Sequence, residues 1–171
     1  MLTRRALPAI VAAAAALVYA PRSLRALPSR ELFTLGRSKN ANVVKYAVRI
    51  GRGGRLDRAE PVEAYWLMLA EDGRREELTW TERQLAYGFS VSAFDGDSLV
   101  LHLTACSARE LRVHAEQGGY RAGLDISGRP AFLRRIFVRT EDGLLMPRVV
   151  SIEISGLTRD GQLVTERVVP R

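Results

Sequence analysis

The sequence predicts a mainly β fold, an antiparallel β-barrel or strongly curled sandwich of about nine or ten strands with one short helix, and three observations carry that reading. Apolar residues recur with a period of two, as in Asn42, Val44, Tyr46, Val48 and Ile50, whose opposite face carries Lys45 and Arg49. Turn signals such as "DGD", "QGG", "SGRP", "EDG" and "RDG" cut these runs at short intervals, so there is little room for crossover helices and neighbouring strands should be mostly antiparallel. A single segment, "ELTWTERQLAYG", breaks the alternation. Closure into a barrel would also remove the exposed edges through which long strands aggregate.

Taken in order, residues 1–20 read as a signal peptide or N-terminal anchor. Arg4 and Arg5 give a basic start, and "AIVAAAAALVYA" is an apolar run ending in small residues, too short and Ala-rich for a spanning helix. Cleavage after Ala20 would leave Pro21 at the cut, so an uncleaved anchor stays open. Residues 21–30, "PRSLRALPSR", are an aperiodic linker, and residues 31–171 form a single β-rich domain. The first clear strand ends at "GRGG". Later strands follow from Leu99, Leu101 and Leu103, from Leu111, Val113 and Ala115, from Tyr120, Ala122, Leu124 and Ile126, and from Val150, Ile152 and Ile154. Thr79 and Glu82 have the spacing of a capping box, which predicts a helix from about Trp80 to Tyr87, and Gly88 suits a left-handed helix end.

Composition narrows the function classes. Cys106 is the only cysteine, so no internal disulfide can form, and it reads as a small buried apolar residue. The formal charge of +7 falls to +5 without Arg4 and Arg5, and the cations are spread along the chain, so nucleic acid is not an expected partner. A monomer is expected. The 26 cations comprise 24 Arg and only Lys39 and Lys45, and the only Asn residues are Asn40 and Asn42. All four sit in "RSKNANVVKY", residues 37–46, which marks that window for special chemistry.

The candidate binding residues are Arg37, Asn40, Asn42, Tyr65, Trp66, Trp80, Tyr87 and Arg134. Asn40 reads as a turn residue that caps local N–H groups. Asn42 lies on the apolar face at the strand mouth, where a buried amide needs a partner, and Arg37 can bring a forked cation to the same rim. Lys39 and Lys45 should lie in solvent. Tyr65 and Trp66 lie in an apolar strand and read first as core, each with a polar tip that wants a partner. Trp80, Gln84 and Tyr87 share one face of the predicted helix and could lid a cavity or cap the barrel end. His102 and His114 would meet if residue 104 paired with 112, but one residue of slip abolishes the pair, so neither a metal nor a cofactor is assigned. Arg134 and Glu166 interrupt apolar alternation and could pair inside, or Arg134 could await an anion. "GRGGR" has no following helix and is not a phosphate loop.

Three blocks, "RSKNANVVKY", "PVEAYWLML" and "EELTWTERQLAYGF", together resemble a bacterial family of exported proteins defined only as a domain of unknown function, from about Phe33 to the C-terminus. The resemblance implies export and a single small domain, and it carries no catalytic or ligand residue with it. The expected function is a non-enzymatic module of the cell envelope that binds a small molecule or a partner protein, located in the periplasm or anchored facing it. The alternative is an uncharacterised enzyme with a polar site near Arg37, Asn42, Glu82 and Tyr87. A lined cavity would keep both open, whereas a filled interior would leave only surface contacts.

Overall fold

A computed structural model describes residues 30–116, 118–142 and 148–170, and residues 1–20, expected to be a signal peptide or anchor, lie outside them. The chain is built on strands β1 (Glu31–Arg37), β2 (Asn40–Val48), β3 (Val62–Leu67), β4 (Arg75–Glu77), β5 (Phe89–Ser92) and β6 (Ser98–Leu103). It continues through β7 (Cys106–Glu116), β8 (Gly119–Ile126), β9 (Arg129–Glu141), β10 (Arg148–Leu157) and β11 (Leu163–Val168). Nine of them form one curled path, β4-β3-β2-β1-β9-β8-β7-β6-β5, and β10 and β11 branch from β9. The result is a half-barrel. The expected antiparallel order holds for every pair but one, since β1 runs parallel to β9.

The branch explains the curl. Along one edge, β9 pairs first with β8 over Arg129–Phe132 and then with β1 over Arg135–Val138, while its other edge carries β10 from Phe132 to Glu141. Two four-strand arms therefore diverge from a single strand and fold toward each other. The β10 register shifts at Gly156, where a Cβ would come within 2.5 Å of the Phe132 carbonyl oxygen and 2.8 Å of Ile126 Cδ1. A residue without a side chain is required there.

The interior is filled by side chains from both arms. Val44, Tyr46 and Val48 from β2 share one core with Leu99, Leu101 and Leu103 from β6, all within a few per cent of complete burial. Phe33 stacks on Tyr46 with ring centres 4.4 Å apart, and Phe89 meets Tyr46 edge-on at 6.2 Å. One mouth is tied by the Leu56 N–H to the Gly96 carbonyl at 3.2 Å and by Arg55 to Asp97 at 2.7 Å. At the other mouth, residues 80–87 connect β4 to β5, the two ends of the nine-strand path, and so cross the open side.

That connection differs from the predicted regular helix. Thr79 caps a single α-helical turn, α1 (Trp80–Glu82), with both halves of the capping box in place, and a π-helical turn follows over Arg83–Tyr87. Gly88 is extended rather than left-handed. Its lack of a Cβ serves close packing, because a Cβ there would collide with the Arg83 carbonyl oxygen. No helix among the described residues is long and apolar enough to cross a membrane.

Candidate functional site

Five elements converge at the mouth crossed by the helical connection. β1 delivers Arg37 from its last position, β2 delivers Tyr46, β3 delivers Trp66, α1 delivers Glu82, and the π turn ends in Tyr87. The Tyr46 hydroxyl donates to the Tyr87 carbonyl at 2.9 Å, and the Thr104 N–H donates to the Gly88 carbonyl at 2.9 Å, so the connection is pinned from both arms. Trp66 packs edge-on against Tyr87 with ring centres 5.1 Å apart. The Arg37 guanidinium carbon lies 5.7 Å from the Tyr87 ring centre.

Glu82 is the hub of this cluster. One carboxylate oxygen accepts the Trp66 indole N–H at 3.0 Å, and the other accepts both the Thr79 N–H and the Thr79 hydroxyl at 2.8 Å. Partial burial pushes its carboxyl upward, but those three donors and the Arg37 charge outweigh burial and hold it below the usual carboxylate range. Burial pushes the Tyr87 phenol up, with the Arg37 charge opposing and the Glu82 charge adding. Burial, and then Tyr87, push the Tyr46 phenol further up. The Tyr87 hydroxyl is buried and has no hydrogen-bond partner among the described residues.

The "RSKNANVVKY" window is a junction whose residues point to different neighbours. Ser38 donates its N–H to the Val138 carbonyl at 2.9 Å, and its hydroxyl accepts the Thr140 N–H at 2.8 Å. Lys39 takes the left-handed backbone of the hairpin, φ 65°, and pairs with Asp142 at 2.7 Å. Asn40 accepts the Asn42 N–H at 2.9 Å, as its reading as a local cap expects. Asn42 is half-buried and accepts the Ala70 N–H at 2.9 Å, joining β2 to the loop after β3. Lys45 departs from the solvent position expected of it, since it pairs with Glu31 at 2.7 Å and is largely covered.

Other candidates lie apart from this mouth. Tyr65 alternates to the outer face, where Arg75 sits 3.9 Å from its ring centre. Trp80 is 75% exposed while Tyr87 is 3% exposed, so the face expected to be shared by Trp80, Gln84 and Tyr87 does not exist; the π turn rotates Tyr87 inward. Arg134 is exposed on β9 and does not meet Glu166, which instead pairs with Arg109 and accepts the Ser127 N–H at 2.9 Å. A bulge near Leu103 sets His102 opposite Glu110 and His114 opposite Ser98, which separates the two histidines. No group of three metal-ligating side chains occurs among the described residues. Tyr46 and Ser38 were not singled out from the sequence. Tyr46 did carry a signal, as a polar-tipped aromatic within the buried alternation of β2.

Neither a curated protein nor a solved structure matches the chain. A family model does match, over residues 33–167, and it starts at the Phe33 that stacks in the core and ends in β11, so it spans nearly the whole half-barrel. The chain belongs to the family described as the domain of unknown function DUF4833.

Proposed function

We propose that the protein is an exported, non-enzymatic binding module of the bacterial cell envelope that takes its partner on the outside of the half-barrel, at the mouth formed by Arg37, Trp66, Glu82 and Tyr87. The observation that carries this reading is the packing. Phe33, Tyr46, Leu99, Leu101 and Leu111 fill the space where an interior ligand would sit, and the clefts among the described residues open outward. Contact chemistry then has to lie on the surface. At this mouth the pinned connection carries Trp80 and Leu85 in solvent, each 75% exposed. An exposed Trp is the kind of aromatic side chain that interface centres are enriched in.

The enzymatic alternative, built on Arg37, Asn42, Glu82 and Tyr87, is weakened by the same geometry. Both Glu82 oxygens are already occupied by donors and its charge is stabilised, so it is a poor proton acceptor or donor near neutral pH. Asn42 is committed to Ala70. Export follows from the basic start and the small-residue apolar run at residues 1–20, and it is tested by fusing the chain to a reporter that is active only outside the cytoplasm.

The partner surface is tested by placing a photocrosslinking side chain at Trp80 or Leu85 in the full chain in the source cell, with the same label at Leu163 on β11 as control. A discrete adduct from positions 80 and 85 but not 163 supports the reading. Equal labelling at all three, or none, overturns it.

A further inference from the structure

On the β5 side of the helical connection, an outward-opening cleft of about 380 Å³ runs between the π turn and strands β5 and β6. Its walls carry Gln84 from the turn, Ser90 and His102 from facing positions on β5 and β6, and Thr104 just beyond β6. The Gln84 amide and the Ser90 and Thr104 hydroxyls belong to exposed residues and make no hydrogen bond among the described residues. The His102 ring uses one nitrogen there, with Nε2 3.1 Å from the Ser92 hydroxyl. Arg83 also lines the cleft, but its guanidinium is committed within the fold, donating to the Leu78 carbonyl at 3.2 Å and to Glu77 at 3.0 Å. Other clefts of the half-barrel are walled by formal charges, Arg52, Asp57 and Arg58 in one and Glu110, Arg112 and Asp125 in another. The free groups of this one are uncharged.

Hydroxyls, a primary amide and a neutral imidazole each offer both a donor and an acceptor. An anion brings acceptors alone and an ammonium brings donors alone, so either would leave part of this wall unmatched. A sugar hydroxyl is itself both donor and acceptor, and the C–H face of a sugar ring suits the apolar wall that Leu78, Phe89 and Leu103 supply. From this combination we infer that the cleft binds an uncharged saccharide unit, its hydroxyls held by Gln84, Ser90, His102 and Thr104. The inference rests on the reading of this mouth as the binding face and names what is bound there. A peptide is the poorer match. Extended peptides are captured by main-chain groups along a strand edge, whereas Ser90 and His102 are paired neighbours that project from the face of the sheet.

The experiment titrates the full chain with three neutral disaccharides, maltose, cellobiose and N,N'-diacetylchitobiose, and follows the His102 ring protons and the Gln84 side-chain amide by NMR. His114, on β7 and outside the cleft, is the control within the same molecule. Saturable shifts at His102 and Gln84 with at least one disaccharide, and none at His114, are expected. Gln84→Ala and Ser90→Ala should each weaken that binding about threefold to tenfold, the loss of one hydrogen bond, and leave the melting temperature unchanged, because both side chains are exposed and unpartnered among the described residues. Ser90→Phe fills the cleft and should abolish the shifts. Saturation by none of the three sugars, or an affinity unmoved by all three substitutions, overturns the site. Tighter binding of glucuronate overturns the choice of an uncharged ligand, and tighter binding of an acetylated trialanine amide gives the cleft to a peptide and overturns the saccharide. The crosslinks from Trp80 and Leu85 separate the two readings. If discrete adducts form there while no disaccharide binds, the partner surface stands and the saccharide cleft falls; if a disaccharide binds and no adduct forms, the partner surface is the reading that falls.

Discussion

Asn42 and Lys45 sit three residues apart on β2, and their partners set very different consequences for substitution. Asn42→Ala strands the Ala70 N–H, but Ala70 is exposed and water can replace the lost acceptor. The expected loss is about 0.5–1 kcal/mol, less than a fully buried amide would cost, with a visible fall in melting temperature. Lys45→Arg keeps the ion pair to Glu31 and should leave the melting curve unchanged within error. A reversed order of the two melting temperatures would contradict the Ala70 contact. Glu82 is more demanding than a simple capping residue. Gln in its place offers one acceptor oxygen where Glu offers two, so either Thr79 or Trp66 loses its partner, at about 1 kcal/mol. The pH dependence has a definite sign. The folded carboxyl titrates below its unfolded counterpart, which lies at about 4.3, so the stabilisation is complete above about pH 5 and is lost as pH falls through the folded value. Melting curves from pH 6 to pH 2 should therefore show the unsubstituted protein and Glu82→Gln converging on acidification.

The helical connection and the strands differ in how much of them a sequence can carry. Alternation reads β2, β6 and β8 well, because one face of each is buried and the period reports that burial directly. The capping box is equally readable, since Thr79 and Glu82 satisfy each other within one turn. The π turn is not. An extra residue per turn leaves no compositional mark, and it alone decides that Tyr87 faces inward while Trp80 and Leu85 face solvent. Hence Arg37, Trp66 and Tyr87 were identifiable as candidates one by one, whereas their meeting point was not. Gly88 reports the same tight turn. Gly88→Ala would drive a Cβ into the Arg83 carbonyl oxygen, a backbone atom that cannot rotate away. The connection must then shift as a unit and release the Tyr46–Tyr87 and Thr104–Gly88 hydrogen bonds. The expected destabilisation is at least about 2 kcal/mol by thermal unfolding, well beyond an ordinary Gly-to-Ala exchange at an extended position. A neutral result would mean that the turn is looser than this packing requires.

For the whole molecule, the decisive feature is the sharing of β9 by both arms. Periodicity states that a strand has one buried face and says nothing of its partner, so the parallel pairing of β1 with a strand a hundred residues later is invisible in the local pattern. That pairing has energetic consequences. β1 is hydrogen-bonded on both edges, to β2 and to β9, and β9 is paired along most of its length on both edges. In contrast, β4 has three residues and a single partner, and β5 and β11 each border one strand. Because neither arm has a complete core without β9, the two should not unfold separately, and denaturation should be a single cooperative transition. Within that transition the amides should divide by position in the sheet. Those of β1 and the middle of β9 should exchange with solvent only through global unfolding, while those of β4 and the outer edge of β11 exchange through local opening at much lower free energy. Native-state hydrogen exchange across a denaturant series measures this directly. The β1 and β9 amides should merge with the global unfolding line, and the edge amides should stay independent of denaturant until it is reached. If the β1 amides instead exchange as fast as those of β4, the parallel pair is not formed in solution, the two arms are not joined through β9, and Arg37 is not held at the mouth beside Tyr87.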